Sequence, residues 1–505
     1  MAESRAQKSA RNVMTGVLSK LLLMVLAFAT KTIFVRLLGD EYNGVNGLYT
    51  NLLSVLALAE LGVGNVLNFS LYKALRDNDN SLVCTTVNYF KKLYRGIALA
   101  VAIVGVALIP ALRYIVNSDL PDDELVIYYV LYLANSVASY LVVYKTTVLN
   151  ADQKNYISNL VTTCSTCAMY VLQIAYLLVR KDFVGYLVIQ VLCTLGGNLV
   201  LNHIANRKYP YLNDKSLIDM SRFDKKGLVE NIKATFVYKI SGVLLNNSDN
   251  IIISVMVGTV YVGYYSNYYM VFNYVLAFVS IFITGIIASI GNLNAENNTE
   301  KSYGFFRQID LLFHIIAVVI ACCLWNCMQD FVAVWLGAEK VQSIYLLVAI
   351  VINCYYTTAM NPVWMFRETM GIFKEVKYVV LVTAIMNIVL SILFGTHFGM
   401  PGILIATTVS RFLSQFWFEP KILYQKKFGR SPVSFYLIQL KGVIVCLVAV
   451  VLSTFACSFL GHGLPSILLK AVISGMIGLI VPILVNCRTK EWHGLINRVL
   501  VKIKK

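Results

Sequence analysis

Two stretches read side by side decide the architecture: Leu38–Tyr49, LGDEYNGVNGLY, and Val257–Tyr268, VGTVYVGYYSNY. At a constant shift of 219 residues Gly39 meets Gly258, Tyr42 meets Tyr261, Gly44 meets Gly263 and Tyr49 meets Tyr268. Working outward, the same shift pairs Lys20 with Lys239 and Asn12 with Asn231. About eight of some 38 positions agree, where composition alone would give roughly three. Apolar letters match cheaply in an apolar chain, but Lys, Asn, Gly and Tyr do not. Further on, Lys154 and Lys374, and Gly185 and Gly402, keep nearly the same offset. The chain therefore reads as an internal repeat.

The repeated unit lies in hydrocarbon. Of 505 residues 58% are hydrophobic and only 14% charged, with a mean hydropathy of +0.69. The apolar residues fall in long blocks, and each membrane-spanning helix needs about 20 of them. We place spans at 12–38, 43–71, 88–112, 124–148, 157–180, 183–205, 228–257, 261–291, 303–328, 341–366, 374–396, 400–423, 433–460 and 464–487. The fold class is an all-α polytopic membrane protein of about fourteen helices. Residues 1–205 form one six-helix bundle, 206–227 a polar cytoplasmic linker and 228–425 a second six-helix bundle. Residues 426–505 add two further helices and a basic tail. An even number of spans per repeat gives both bundles one orientation, so their pseudo-twofold axis runs along the membrane normal.

The charges test this topology. With both termini cytoplasmic, the inner segments collect Lys73, Arg76, Lys91, Lys92, Arg95, Arg207, Lys208, Arg222, Arg367, Lys426, Lys427, Arg430 and the tail. The outer ones hold little beyond Arg113, Arg180, Lys181 and Lys340. That is roughly thirty basic residues against about four, a strong positive-inside bias. It accounts for the net charge of +17 without a nucleic-acid partner. The block after Arg5, Lys8 and Arg11 is too long for a signal peptide and reads as an uncleaved first span. The expected location is a bacterial cytoplasmic membrane.

A charge at the bilayer centre costs at least about 2.5–3.5 kcal/mol, so each one needs a reason. Lys20 and Lys31 share one face of span one, being 11 residues apart. Lys239 repeats Lys20 in span seven, and Arg411 sits mid-span in span twelve. These four cations read as the lining of a wet cavity that attracts an anion. The run Leu245-Asn246-Asn247-Ser248-Asp249-Asn250 cannot all face lipid. Asp249, with Asn246 and Asn250, reads as an ion-coupling site. Among the 31 tyrosines, Tyr268 and Tyr269 lie deep enough in span eight to offer rings for sugar stacking. Arg307, Asp310 and His314, at helical spacing in span nine, read as a local ion-pair cluster.

The 11 cysteines lie mostly inside apolar blocks, and neither Cys164-x-x-Cys167 nor the Cys322/Cys323/Cys327 cluster has the partners of a zinc or redox site. No Walker A, HExxH or Gly-x-Ser-x-Gly pattern is present. We expect no metal, no cofactor and no catalytic residue. A membrane-embedded polymerase or ligase would be expected to carry a large outer loop, and these loops are short.

The residues Arg11-Asn12, Arg36-Leu37-Leu38-Gly39 with Tyr42 and Gly44, and Glu60-Leu61-Gly62-Val63-Gly64 resemble the N-terminal pattern of the Wzx-type polysaccharide flippases. Asp249, Ile251-Ile252-Ile253, Gly258, Gly263 and Tyr264 resemble the matching pattern of their second half. These proteins belong to the multidrug/oligosaccharidyl-lipid/polysaccharide exporter superfamily, and the resemblance covers nearly the whole chain. Glu60 departs from the family, which commonly has Asp there. The resemblance implies an undecaprenyl-diphosphate-linked oligosaccharide as substrate, flipped to the outer leaflet for capsule, O-antigen or similar polymers. It implies membrane lipids around the chain, and the polymerase and glycosyltransferases of one pathway as partners. A peptidoglycan-precursor flippase and a multidrug exporter of the same superfamily are the alternatives. The second is disfavoured by deep charges that are mostly Lys and Arg.

Overall fold

The computed structural model describes residues 5–57, 63–222, 225–295 and 298–503. Glu60, and with it part of the Glu60–Gly64 pattern, lies outside them. Eighteen helices follow one another and no strand occurs among the described residues. The first nine are α1 (Arg5–Leu38), α2 (Asp40–Leu56), α3 (Val63–Arg76), α4 (Asn80–Ala107), α5 (Leu112–Ile115), α6 (Asp122–Ser139), α7 (Val143–Ala151), α8 (Asn155–Val179) and α9 (Phe183–Lys208). Next come α10 (Lys225–Met256), α11 (Thr259–Ala295), α12 (Thr299–Leu336), α13 (Ile344–Thr369), α14 (Phe373–Leu413) and α15 (Gln415–Leu423). The last are α16 (Val433–Cys457), α17 (Leu464–Asn486) and α18 (Lys490–Ile503).

Among the described residues nine helical stretches are long and apolar enough to cross a membrane, ten if α6 and α7, bent by 41° at their break, make one span. One of the nine runs over Glu375–Phe428. Its main helix, α14, has 41 residues and would be about 60 Å long, twice the hydrocarbon thickness. It is divided at Gly399, whose φ of 59° and ψ of −145° are not helical, with Pro401 just beyond. That break falls between the segments read as spans eleven and twelve. Elsewhere helices start on side-chain caps: Asp182 accepts from Gly185 N (2.7 Å), and Asn298 from Lys301 N (2.9 Å). Exposed Val179, Phe459, Leu468 and Leu484 supply the apolar outer surface a bilayer requires.

The chain divides into two compact units, Met1–Gly263 and Tyr264–Lys505. In the first, α1 lies along α8, α8 and α6 flank α9, and α10 packs on α2. The compact-unit boundary thus lies downstream of the polar linker, because α10 is gathered onto α2. The linker itself is folded. Its short 3-10 turns are pinned to α4: Ser81 Oγ donates to Leu217 O (2.8 Å) and Asp219 N to Thr85 Oγ1 (2.8 Å). Within it the Ser216 hydroxyl and N–H both donate to the Asp214 carboxylate, which holds that acid below its usual range.

In the second unit α12 is central, touching α13, α16, α17 and α18. Lipid tails give helices no hydrophobic reason to associate, so small residues and interhelical hydrogen bonds must do it. They do so here. Gly478 of α17 lies so close to α12 that an added Cβ would sit 2.8 Å from Val319 Cα. Asn326 Nδ2 donates to Ser453 Oγ (2.9 Å) on α16 and to Ser474 Oγ (3.0 Å) on α17.

Candidate functional site

The repeated motif is a helix crossing. Gly39 and Gly258, with φ of 95° and 133°, precede α2 and α11. The next matched glycines face one another's helices. A Cβ on Gly44 would meet Thr259 O at 2.0 Å, and one on Gly263 would meet Asp40 O at 2.5 Å. Thr259 is the repeat mate of Asp40, and Gly263 of Gly44. The contact is therefore reciprocal, as a local twofold relation requires. Only glycine lets the two backbones approach this closely.

Lys31 is built into that crossing. Its Nζ donates to Asn43 Oδ1, and Asn43, fully buried, donates from Nδ2 to Gly263 O (2.8 Å). The Asp40 carboxylate is near enough to act on the same ammonium. Lys31 is thereby held between α1, α2 and α11. Lys20, eleven residues earlier on α1, is exposed, as are Leu18, Leu21, Leu22 and Val25 around it. On α10 Lys239 is half-buried and Asn246, two turns on, is exposed, with its amide donating to Gly242 O (2.7 Å). Asp249 and Asn250 turn inward, at 8% and 5% exposure, and Asn250 Nδ2 reaches Gly47 O on α2 (3.5 Å). Within the polar run Asn246 is thus exposed while Asp249 and Asn250 are buried.

In the second unit Arg411 is buried on α14, and its Nη1 meets Thr357 Oγ1 (3.3 Å) and Asn353 Oδ1 (3.4 Å) of α13. The two tyrosines part company. Tyr268 is fully buried; its hydroxyl donates to Gln329 Oε1 (2.6 Å) and accepts from Gln342 N (2.9 Å), so its ring is closed to a ligand in this conformation. Tyr269 is half-buried, its ring stacked on Phe272 and tilted against Tyr265.

Three groupings with buried charges were not singled out from sequence. Lys145 of α7, 7% exposed, donates to Asn202 Oδ1 and Asn206 Oδ1 of α9, each at 2.6 Å. Glu419 of α15, 2% exposed, takes both oxygens to Arg367 Nη1 at 2.8 Å. Arg367 is thus a correction to the charge tally: it lies in the last turn of α13 inside the protein, not in a loop. Asp330 of α12 accepts from Lys470 Nζ of α17 (2.6 Å) and pairs with His462 (2.8 Å). Lys145, between Tyr144 and Thr146, carries no local sequence signal of burial, and its partners are 57 and 61 residues away.

The described residues form an all-helical, multi-span fold with polar side chains where its helices cross. The chain belongs to the polysaccharide biosynthesis protein family, whose model matches residues 9–287. No curated protein matches the sequence. Among solved structures it is similar to a lipid II flippase, MurJ, in its inward closed conformation: 13% identity and a TM-score of 0.66, over 94% of this chain and 99% of that one. An inward-facing multidrug resistance MATE transporter gives 15% identity and a TM-score of 0.58 over 80% of this chain and 95% of that one. The Vibrio cholerae MATE transporter VcmN gives 13% and 0.55 over 80% and 92%.

Proposed function

We propose that the protein is a flippase that carries a diphosphate-linked lipid oligosaccharide from the cytoplasmic to the outer leaflet of a bacterial inner membrane, supplying subunits for a surface polysaccharide. Membership of the polysaccharide biosynthesis family, on a fold shared end to end with a lipid II flippase, is the observation that carries this reading. Two six-helix bundles, rocking about a central space, would expose it to each side in turn. Both termini lie in the cytoplasm, and fourteen helices cross. Lys20, Lys31, Lys239 and Arg411 are the cations that meet the head group, and Tyr269 rather than Tyr268 is the sugar-stacking ring. The isoprenoid tail stays in the bilayer. With the inside negative, outward movement of an anion is favoured by about 2.3 kcal/mol per charge per 100 mV. Asp249, with Asn246 and Asn250, is the place to look for a coupling cation.

The peptidoglycan precursor is the second substrate reading, favoured by the near-complete coverage of the lipid II flippase. Vesicles containing the purified protein and one labelled lipid-linked substrate at a time, with an impermeant sugar-cleaving enzyme outside, decide between them. Transfer of the oligosaccharide lipid, lost in Lys20→Ala and in Lys239→Ala with protein levels unchanged, supports the proposal. Undiminished transfer in both variants removes these lysines, and transfer of lipid II alone replaces the substrate.

A further inference from the structure

On α12, Asp310 and His314, read from sequence with Arg307 as a local ion-pair cluster, are 1% and 5% exposed and one helical turn apart. His314 Nδ1 lies 2.7 Å from the Asp310 carbonyl oxygen and 3.6 Å from its carboxylate. His314 Nε2 lies 3.1 Å from the side-chain amide of Gln439, itself 5% exposed on α16. The other end of that amide lies 3.4 Å from Asp310 Oδ1. The three side chains close a ring of contacts between two helices. Gly442, one turn along α16, makes room for the imidazole: a Cβ there would sit 2.4 Å from His314 Cδ2.

The protons in this ring can be counted. With the amide oxygen toward His314 and its NH2 toward Asp310, both ring nitrogens face acceptors, so both must donate; the ring is an imidazolium and Asp310 a carboxylate. With the amide turned round, its NH2 donates to a neutral His314, and its oxygen faces Asp310, which must then be the protonated acid. Either way the complete network holds two exchangeable protons. With one, every arrangement leaves two acceptors facing each other, a buried mismatch that costs about 1–3 kcal/mol. The second proton is therefore the ligand that completes the bonding of α16 to α12.

We propose that Asp310, His314 and Gln439 form a proton-binding site in the second unit. Protons have a route to it. A cavity of about 100 Å³ opens beside the ring, lined by Arg307, Lys441, Asn486, Thr489 and Glu491. It has room for a few waters. The charges facing the site are already engaged: Arg307 with Glu491 of α18 (2.7 Å), and Lys441 Nζ with Asn486 Oδ1 (2.8 Å). The other titratable groups that interact with Asp310 are Tyr355 on α13, which also feels Cys446 on α16, and Tyr424 after α15. The site does not depend on what the protein carries. If transport is proton-coupled, it is a binding place separate from Asp249.

The test reads protons directly, on the full-length protein in lipid bilayers at neutral pH. Nitrogen NMR of ring-labelled histidine reports a doubly protonated His314, assigned among the five histidines by its loss in His314→Gln. Infrared difference spectra report a protonated Asp310, assigned by its loss in Asp310→Asn. We expect one of the two signatures in the wild type, and its disappearance in Gln439→Leu. A neutral ring together with an ionised carboxylate in the wild type overturns the proposal, as does a signature that survives in Gln439→Leu. Should a variant fail to accumulate, magnetisation transfer between labelled His314 and labelled Asp310, 3.6 Å apart, assigns the wild-type signals alone.

Discussion

The two units bury cations in different company. In the first, Lys145 is held by the amides of Asn202 and Asn206, and Lys31 donates to the amide of Asn43, with Asp40 as a neighbouring charge. In the second, Arg367 is clasped by Glu419, Lys470 by Asp330 and Arg307 by Glu491, whereas Arg411 meets the neutral oxygens of Asn353 and Thr357. An amide satisfies the hydrogen bonds of an ammonium and leaves its charge in place. A carboxylate cancels it. The difference teaches where positive charge held by neutral groups is the commoner case: in the first unit, which also carries Lys20 and Lys239, with Arg411 the counter-example in the second. For an anionic cargo that is the attractive half, while the paired charges of the other unit act as bolts between helices.

The largest effect should come from breaking a bolt. Arg367 and Glu419 are nearly fully buried, and removing one partner strands the other in low dielectric. Glu419→Gln or Arg367→Met should each cost about 3–5 kcal/mol, while Arg367→Met combined with Glu419→Leu should recover most of it. Denaturant unfolding in detergent measures the three variants. A double mutant as unstable as the singles would mean that the pair does more than neutralise itself.

A smaller loss is expected at Asp330 and Lys470, which are 14% and 9% exposed at the side chain and border an exposed histidine. Water can reach a stranded partner there, so Asp330→Asn should cost about 1–3 kcal/mol. If it cost as much as Glu419→Gln, burial would not be what grades these pairs.

How much of this was legible beforehand follows the range of the interaction. The repeat could be read because Gly44 and Gly263 are matched letters, and the structure shows why those letters matter: each presses on the backbone beside the other. The break between the segments read as spans eleven and twelve could be read because a breaker such as Gly399-x-Pro401 is local. Arg367 was misplaced because a charge in the last turn of an apolar helix looks the same as a loop charge; only its partner, 52 residues on, reveals burial. Tyr268 looked like a sugar platform because depth in a helix says nothing about which face is covered. Lys145 passed unnoticed for the same reason, since nothing around it announces the two asparagines of α9.

At the amide-held lysines stability and function should come apart. In Lys31→Met the amide of Asn43 loses a donor but keeps its bond to Gly263 O, so about 1 kcal/mol is expected in an unfolding experiment.

The smallest stability change belongs to Lys145→Met. The variant leaves two asparagine oxygens without their donor, a loss of about 1–3 kcal/mol, but it also removes a charge whose burial is itself costly, and the two contributions oppose each other. The net change should stay within about 1 kcal/mol. Transport should fall all the same, because the variant deletes positive potential from the unit that keeps it. Lys145→Arg, retaining the charge, should restore more of the transport than Lys145→Met does, even if the larger head packs worse. Vesicle transfer rates set beside unfolding midpoints for the two variants make the decision. Rates that track stability alone would reduce Lys145 to another bolt and erase the distinction between the units.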